Sequence, residues 1–156
     1  NGGYYYQPNV VKQIVGADGN VVKNIDKTLM RTTVSNEVSE QMREYLKETL
    51  ISGTGKSAAI EGYSIGGKTG TAEKYSPVER EDGTIAYIRN KTDYLVSFIA
   101  FTPAEQPEVV IYVTIDEPHV DFQANSGLAT RLEKACMEDV VAILGIEKTE
   151  SSEETE

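Results

Sequence analysis

The chain has 156 residues, 39% of them apolar and 26% charged, which suits one globular domain with a sizeable core and excludes a fibrous protein. Its 15 basic residues against 25 acidic ones leave a formal charge of −10 without a basic stripe, which argues against nucleic-acid binding. No apolar run approaches the roughly 18 residues of a membrane span, and the single cysteine, Cys136, excludes an intrachain disulfide and is expected as a small core residue on a helix.

The start, Asn1-Gly2-Gly3, has neither an initiating methionine nor a charged leader, so the chain reads as internal to a longer protein. Tyr4-Tyr5-Tyr6 is expected to serve core and rim packing rather than as a ligand-stacking platform. Val10 to Val15 and Val21 to Ile25 flank Ala17-Asp18-Gly19-Asn20 and predict a β-hairpin. Ser35 is a good N-cap, and Val38, Met42, Tyr45, Leu46 and Leu50 recur at helical spacing until Ser52-Gly53-Thr54-Gly55 ends the pattern, predicting an amphipathic helix. A strand is predicted over Tyr63 to Glu73. Tyr75 to Asp93, with Pro77 and Asp82-Gly83, reads as a long connection holding a short strand at Thr84 to Ile88.

Two stronger strands follow, Tyr94 to Phe101 and Val109 to Ile115. The short connection Ala104 to Glu108 makes them antiparallel, because a parallel crossover needs a dozen or more residues. A second helix begins near Asn125 or Ser126, places Leu128, Leu132, Cys136, Val140, Ile143 and Leu144 on one face, and closes at Gly145. The acidic tail, residues 147–156, is expected to be disordered. The order predicts an α+β domain over residues 1–146, with helices packed on an antiparallel sheet. His119 reads as an exposed loop residue and no metal site is expected, since no second histidine or cysteine is near. Asp116-Glu117 reads as a strand end, its side chains pointing to opposite faces.

The chemistry concentrates in Gly62-Tyr63-Ser64-Ile65-Gly66-Gly67-Lys68-Thr69-Gly70-Thr71-Ala72-Glu73-Lys74. Gly62-x-x-x-x-Gly67-Lys68-Thr69 fits a phosphate-binding P-loop, and Val110 to Glu117 looks like the acidic strand that would hold magnesium beside it. A P-loop, however, must end a buried strand and start a helix, and Gly70 and Pro77 fall where that helix should run. Read instead as a strand, the stretch puts Thr69 and Thr71 on one face about 7 Å apart and Lys68 with Gly70 on the other. Two hydroxyls in line suit a carboxylate-bearing substrate, and a free N–H on an edge strand suits a developing oxyanion. A glycine-rich edge strand with merely solvated threonines stands beside that reading.

Asn1-Gly2-Gly3-Tyr4, Ser52-Gly53-Thr54-Gly55-Lys56, Gly66 to Lys74, Ser97 to Ala104 and Asp116-Glu117-Pro118 occur in the order and spacing of class B penicillin-binding proteins. Over residues 1–146 the chain resembles the C-terminal half of their transpeptidase domain, a partial penicillin-binding-protein/β-lactamase-like fold. The resemblance implies D,D-transpeptidation of peptidoglycan, in which a serine attacks the D-Ala-D-Ala end of a stem peptide. Lys68 would then hold the active-site proton network and substrate charge, and Thr69 and Thr71 the terminal carboxylate. The Thr71 backbone N–H would belong to the oxyanion hole, and Gly70 would be small to clear the nucleophile's helix. No cofactor is implied. The partners implied are stem peptides, β-lactams, the other half of the domain and other cell-wall synthesis proteins. The place implied is the outer face of a bacterial cytoplasmic membrane, with an anchor upstream.

The family's S-x-x-K and S-x-N elements do not occur in this sequence. The nucleophile is therefore expected upstream, and this chain alone is expected to be inactive. The alternative is a non-catalytic module of the same fold that binds peptidoglycan or β-lactams; a P-loop nucleotide hydrolase is the remote one.

Overall fold

The structure, a computed structural model, describes residues 1–149. It divides into two compact units, Asn1–Met42 and Arg43–Glu156; the acidic tail beyond residue 149 lies outside the described residues.

In the first unit the expected hairpin is present: β2 (Gln13–Val15) pairs antiparallel with β3 (Val21–Asn24). Its turn places Gly19 at φ +81°, a conformation that glycine adopts without a Cβ penalty. A second antiparallel pair joins β1 (Tyr4–Tyr6) to β4 (Leu29–Thr32). Sequence periodicity did not reveal it, since it pairs the two ends of the segment that encloses the hairpin, Tyr4 with Thr32, a contact between residues distant in sequence. Tyr4 and Tyr5 are both 45% exposed, so the tyrosines are not core residues in this chain.

Ser35 caps α1 (Asn36–Ile51) as expected, its Oγ accepting from the Val38 N–H at 3.3 Å. The boundary between the two units falls within this helix. Of its apolar stripe only Leu50 is buried, while Val38, Met42 and Tyr45 face solvent.

The second unit is built on a three-stranded antiparallel sheet in the order β5 (Gly66–Glu79), β6 (Ile85–Thr102), β7 (Val109–Asp116). The stretch expected as a connection is one continuous β5–β6 ribbon: Tyr75 to Glu79 pair with Arg89 to Ile85 across the Asp82-Gly83 turn. The charged residues there are compatible with a ribbon solvated on both faces, and Pro77 is accommodated opposite Tyr87. The P-loop alternative fails here, because Gly66-Gly67-Lys68-Thr69 begins a 14-residue strand and no helix.

One face of the sheet is covered. Phe98 and Ala100 of β6, with Ile111, Val113 and Ile115 of β7, pack with Ala129, Met137 and Val141 of α2 (Gly127–Leu144), Ala58, Ile65 and Leu50. The helix closes as expected on Gly145, at φ +67°. It packs one residue over from the expected face, however. Ala129, Thr130, Glu133, Met137 and Val141 are buried, whereas Leu132, Cys136, Ile143 and Leu144 are exposed. The true inner row contains two polar side chains, and Thr130 is accepted there because its hydroxyl meets Ser57 Oγ at 2.6 Å. The expectation of a buried Cys136 fails with that row. On the opposite face of the sheet Ile99, Val110 and Tyr112 are exposed.

Candidate functional site

β5 is an edge strand of the sheet, hydrogen-bonded on one side to β6 and open on the other. Its register sets Lys68 opposite Ile99 and Gly70 opposite Ser97. Strand alternation therefore places Lys68 and Gly70 on the face of Ile99 and Tyr112, and Thr69 and Thr71 on the other, as the period-two reading expected.

The same alternation governs the backbone. The Gly67 carbonyl points away from β6, because it accepts the Thr49 hydroxyl of α1 at 2.5 Å. Residues two apart on an antiparallel strand direct their backbone groups to the same side. The backbone groups of Thr69 and Thr71 thus point to the open edge as well, and the edge carries N–H donors beside two hydroxyls.

Two glycines have close neighbours on β6. A Cβ on Gly67 would lie 2.7 Å from both the Ile99 carbonyl oxygen and the Phe98 ring. One on Gly70 would lie 2.5 Å from Ser97 Oγ. The resemblance assigned the smallness of Gly70 to a helix carrying the nucleophile. Among the described residues the atom nearest that position is the Ser97 hydroxyl on the adjacent strand, the rotatable end of a side chain.

Lys68 is exposed and bends round the strand edge, so that its Nζ donates to the Thr69 carbonyl oxygen at 3.0 Å and lies 3.5 Å from Thr69 Oγ1. The Thr69 hydroxyl meets that of Thr54, 2.9 Å away, in the loop after α1. Thr54 and Thr49 were given no role from sequence. The only signal was that Ser52-Gly53-Thr54-Gly55 recurred in the family's order, while the contact itself joins positions fifteen residues apart.

Lys74 occupies a bulge in β5 and reaches across to the end of β7, pairing with Asp116 at 3.0 Å and with Glu117. Its pKa is raised, first by the hydrogen bond to Glu117 and then by that to Asp116. The expectation that Asp116 and Glu117 point apart is corrected: Glu117 takes φ +48°, which turns the chain so that both carboxylates meet one lysine. His119 is exposed as expected. No group of three or more His, Cys, Asp or Glu among the described residues is placed to hold a metal.

A cleft of about 380 Å³ is lined by Lys47, Tyr63, Ser64 and Glu105 among others, but by none of Lys68, Thr69 and Thr71. Its polar wall is internally paired. Glu105 accepts from Lys47 at 2.6 Å and Ser64 at 2.7 Å, and although burial opposes its charge these bonds prevail and hold its pKa below the usual carboxylate range. The candidate site is thus an open strand edge rather than a cavity. It can present hydroxyl, ammonium and backbone N–H donors to an extended anionic ligand.

The family model for the penicillin binding protein transpeptidase domain matches residues 1–138. Stage V sporulation protein D of Bacillus subtilis (strain 168) is 34% identical over 147 residues, which are 94% of this chain and 21% of that protein. The peptidoglycan D,D-transpeptidase FtsI homolog of Chlorokybus atmophyticus is 36% identical over 103 residues, 66% of this chain and 14% of that protein. Among solved structures, the ceftriaxone acyl-enzyme complex of penicillin-binding protein A from Mycobacterium tuberculosis superposes with a TM-score of 0.69 at 27% identity, covering 88% of this chain and 28% of that one. The chain spans about one fifth or less of the length of these two curated relatives.

Proposed function

This chain belongs to the penicillin-binding-protein transpeptidase domain family, and on that premise we propose that it is the substrate- and penicillin-binding half of a peptidoglycan D,D-transpeptidase. The observation that carries the reading is the open edge of β5, where Thr69, Thr71 and Lys68 offer donors along one line. Thr69 and Thr71 hold the carboxylate of a D-Ala-D-Ala terminus or of a β-lactam, since charged acceptors make the stronger hydrogen bonds. The Thr71 backbone N–H donates to the oxyanion that forms as the acyl carbonyl becomes tetrahedral. Lys68 lies beside Thr69, where an ammonium both favours the substrate's charge and can donate to a nucleophile's hydroxyl. Gly70 leaves space at that point of the strand.

The serine is supplied from outside this sequence, which contains no S-x-x-K. The chain alone is therefore inactive, and in the working enzyme it lies outside the cytoplasmic membrane among the other cell-wall synthesis proteins. None of the described helices is long and apolar enough to cross a membrane.

The test is the intact mass of the longer natural polypeptide carrying this sequence, and of the 156-residue chain alone, before and after incubation with a penicillin. The reading expects one penicillin mass on the longer species and none on the chain. Label on the chain alone, or on neither, would overturn it, and the second result would leave a non-catalytic module of the same fold.

A further inference from the structure

We propose that Thr54 is a positioning residue of this site, whose hydroxyl orients that of Thr69 toward the substrate carboxylate. The inference rests on the proposed function and extends it to a residue outside β5. A threonine hydroxyl has one hydrogen to donate and two lone pairs to accept with. To bind a carboxylate, Thr69 must turn its single hydrogen outward, so its oxygen should accept from another group. Lys68 Nζ is a poor candidate for that bond, at 3.5 Å from Thr69 Oγ1 and 3.0 Å from the adjacent carbonyl oxygen. Thr54 Oγ1, at 2.9 Å, is at good hydrogen-bonding distance. With Thr54 donating, the Thr69 hydrogen is released to the ligand and its O–H is polarised by the bond it accepts.

The loop that carries Thr54 is held to the site by its own contacts. The Gly55 N–H donates to the Thr49 carbonyl oxygen at 3.0 Å, and the Thr49 hydroxyl lies between two carbonyl oxygens, that of Leu46 at 2.8 Å and that of Gly67 of β5 at 2.5 Å. A Cβ on Gly53 would lie 2.9 Å from Thr49 backbone atoms, so the turn requires glycine to bring Thr54 round to the strand. α1, the loop and the start of β5 are thereby fastened through Thr49, and Thr54 is the member that touches a proposed ligand-binding side chain.

The experiment measures the second-order rate of acylation of the longer natural polypeptide by a penicillin and by the methyl ester of the same penicillin, which lacks the carboxylate charge. Thr54→Val is expected to slow acylation by the free acid about tenfold, the size of one hydrogen bond to a charged group. The ester rate is expected to stay within about twofold, since no carboxylate is there to be bound. Thr54→Ser, which restores the hydroxyl, is expected to return the free-acid rate to near the parent's. In a Thr69→Val background Thr54→Val should change nothing further, because the residue acts through Thr69.

Equal loss toward acid and ester, no loss at all, or no rescue by serine would overturn the proposal. Should Thr54→Val fail to fold, Thr54→Ala carries the same comparison without the added methyl. If the unmutated polypeptide is not acylated, the proposed function itself fails and this inference with it. That outcome is distinct from acylation that is indifferent to Thr54.

Discussion

Glu133 is the one charged residue among the described residues that is buried in the core. It is fully buried on the inner row of α2, and neither carboxylate oxygen has a hydrogen-bond partner. Burial raises its pKa from 4.5 to about 7. Below about pH 4.5 the group is protonated both folded and unfolded and costs nothing through its charge. Between there and about pH 7 the folded chain holds the proton more tightly, so stability falls as pH rises, by about 3 kcal/mol at most. Glu133→Gln should abolish that part of the slope, read as the difference in urea midpoints between pH 4.5 and 7.5; equal slopes would show that Glu133 is ionised at no cost. Gly70 is governed by distance instead. Gly70→Ala should destabilise the chain by no more than about 1 kcal/mol, because the one close atom is the Ser97 hydroxyl, which can turn to another rotamer. Adding Ser97→Ala should recover most of it, since the next nearest atom is Ser97 Cβ at 3.9 Å. Urea unfolding of the single and double variants checks this, and a double variant no better than the single would mean that the obstacle is elsewhere.

At the scale of elements, the site lies on an edge strand held near its start and at its bulge. Near its start, Thr49 of α1 satisfies the Gly67 carbonyl oxygen. Further along, Lys74 joins the β5 bulge to the end of β7 across β6. Exposed ion pairs contribute little on their own, so the effect of Lys74→Gln should be local. Amide exchange of Glu117, which donates to the Tyr94 carbonyl oxygen at 2.9 Å, should quicken while that of Phe98 in the core stays unchanged. Exchange mass spectrometry reads both segments, and no change at Glu117 would show that the backbone bond holds without the lysine. In β7 strand alternation turns Ile111, Val113 and Ile115 inward and leaves Val110 and Tyr112 exposed. The pattern of α2 misled, because its most apolar row is not its packed row.

At the scale of the whole molecule, apolar side chains stand exposed on one face of the sheet: Ile99 at 41%, Val110 at 60% and Tyr112 at 61%. Patches of that kind mark surfaces that bind something else or aggregate. The isolated chain should therefore bind a hydrophobic dye strongly, and changing Ile99, Val110 and Tyr112 together to threonine should reduce dye fluorescence several-fold without lowering the unfolding midpoint. Unaltered fluorescence would place the sticky surface elsewhere, in the exposed stripe of α1 or on the two strand pairs of the first unit.

The sequence by itself determined the strand with Lys68, Thr69, Gly70 and Thr71, the facing of its threonines, one cap of each helix and the family. These depend on local spacing and on residue types with narrow conformational uses, such as Ser35 at a helix start and Gly145 at a helix end. The tertiary structure alone decided that β5 runs on to Glu79, that the Ser97 hydroxyl lies against position 70, and that Thr54 meets Thr69. It also decided which row of α2 is buried and that Asp116 and Glu117 converge on Lys74. Each of these joins residues distant in sequence or turns on a single backbone angle, and hydrophobic periodicity has no memory of either.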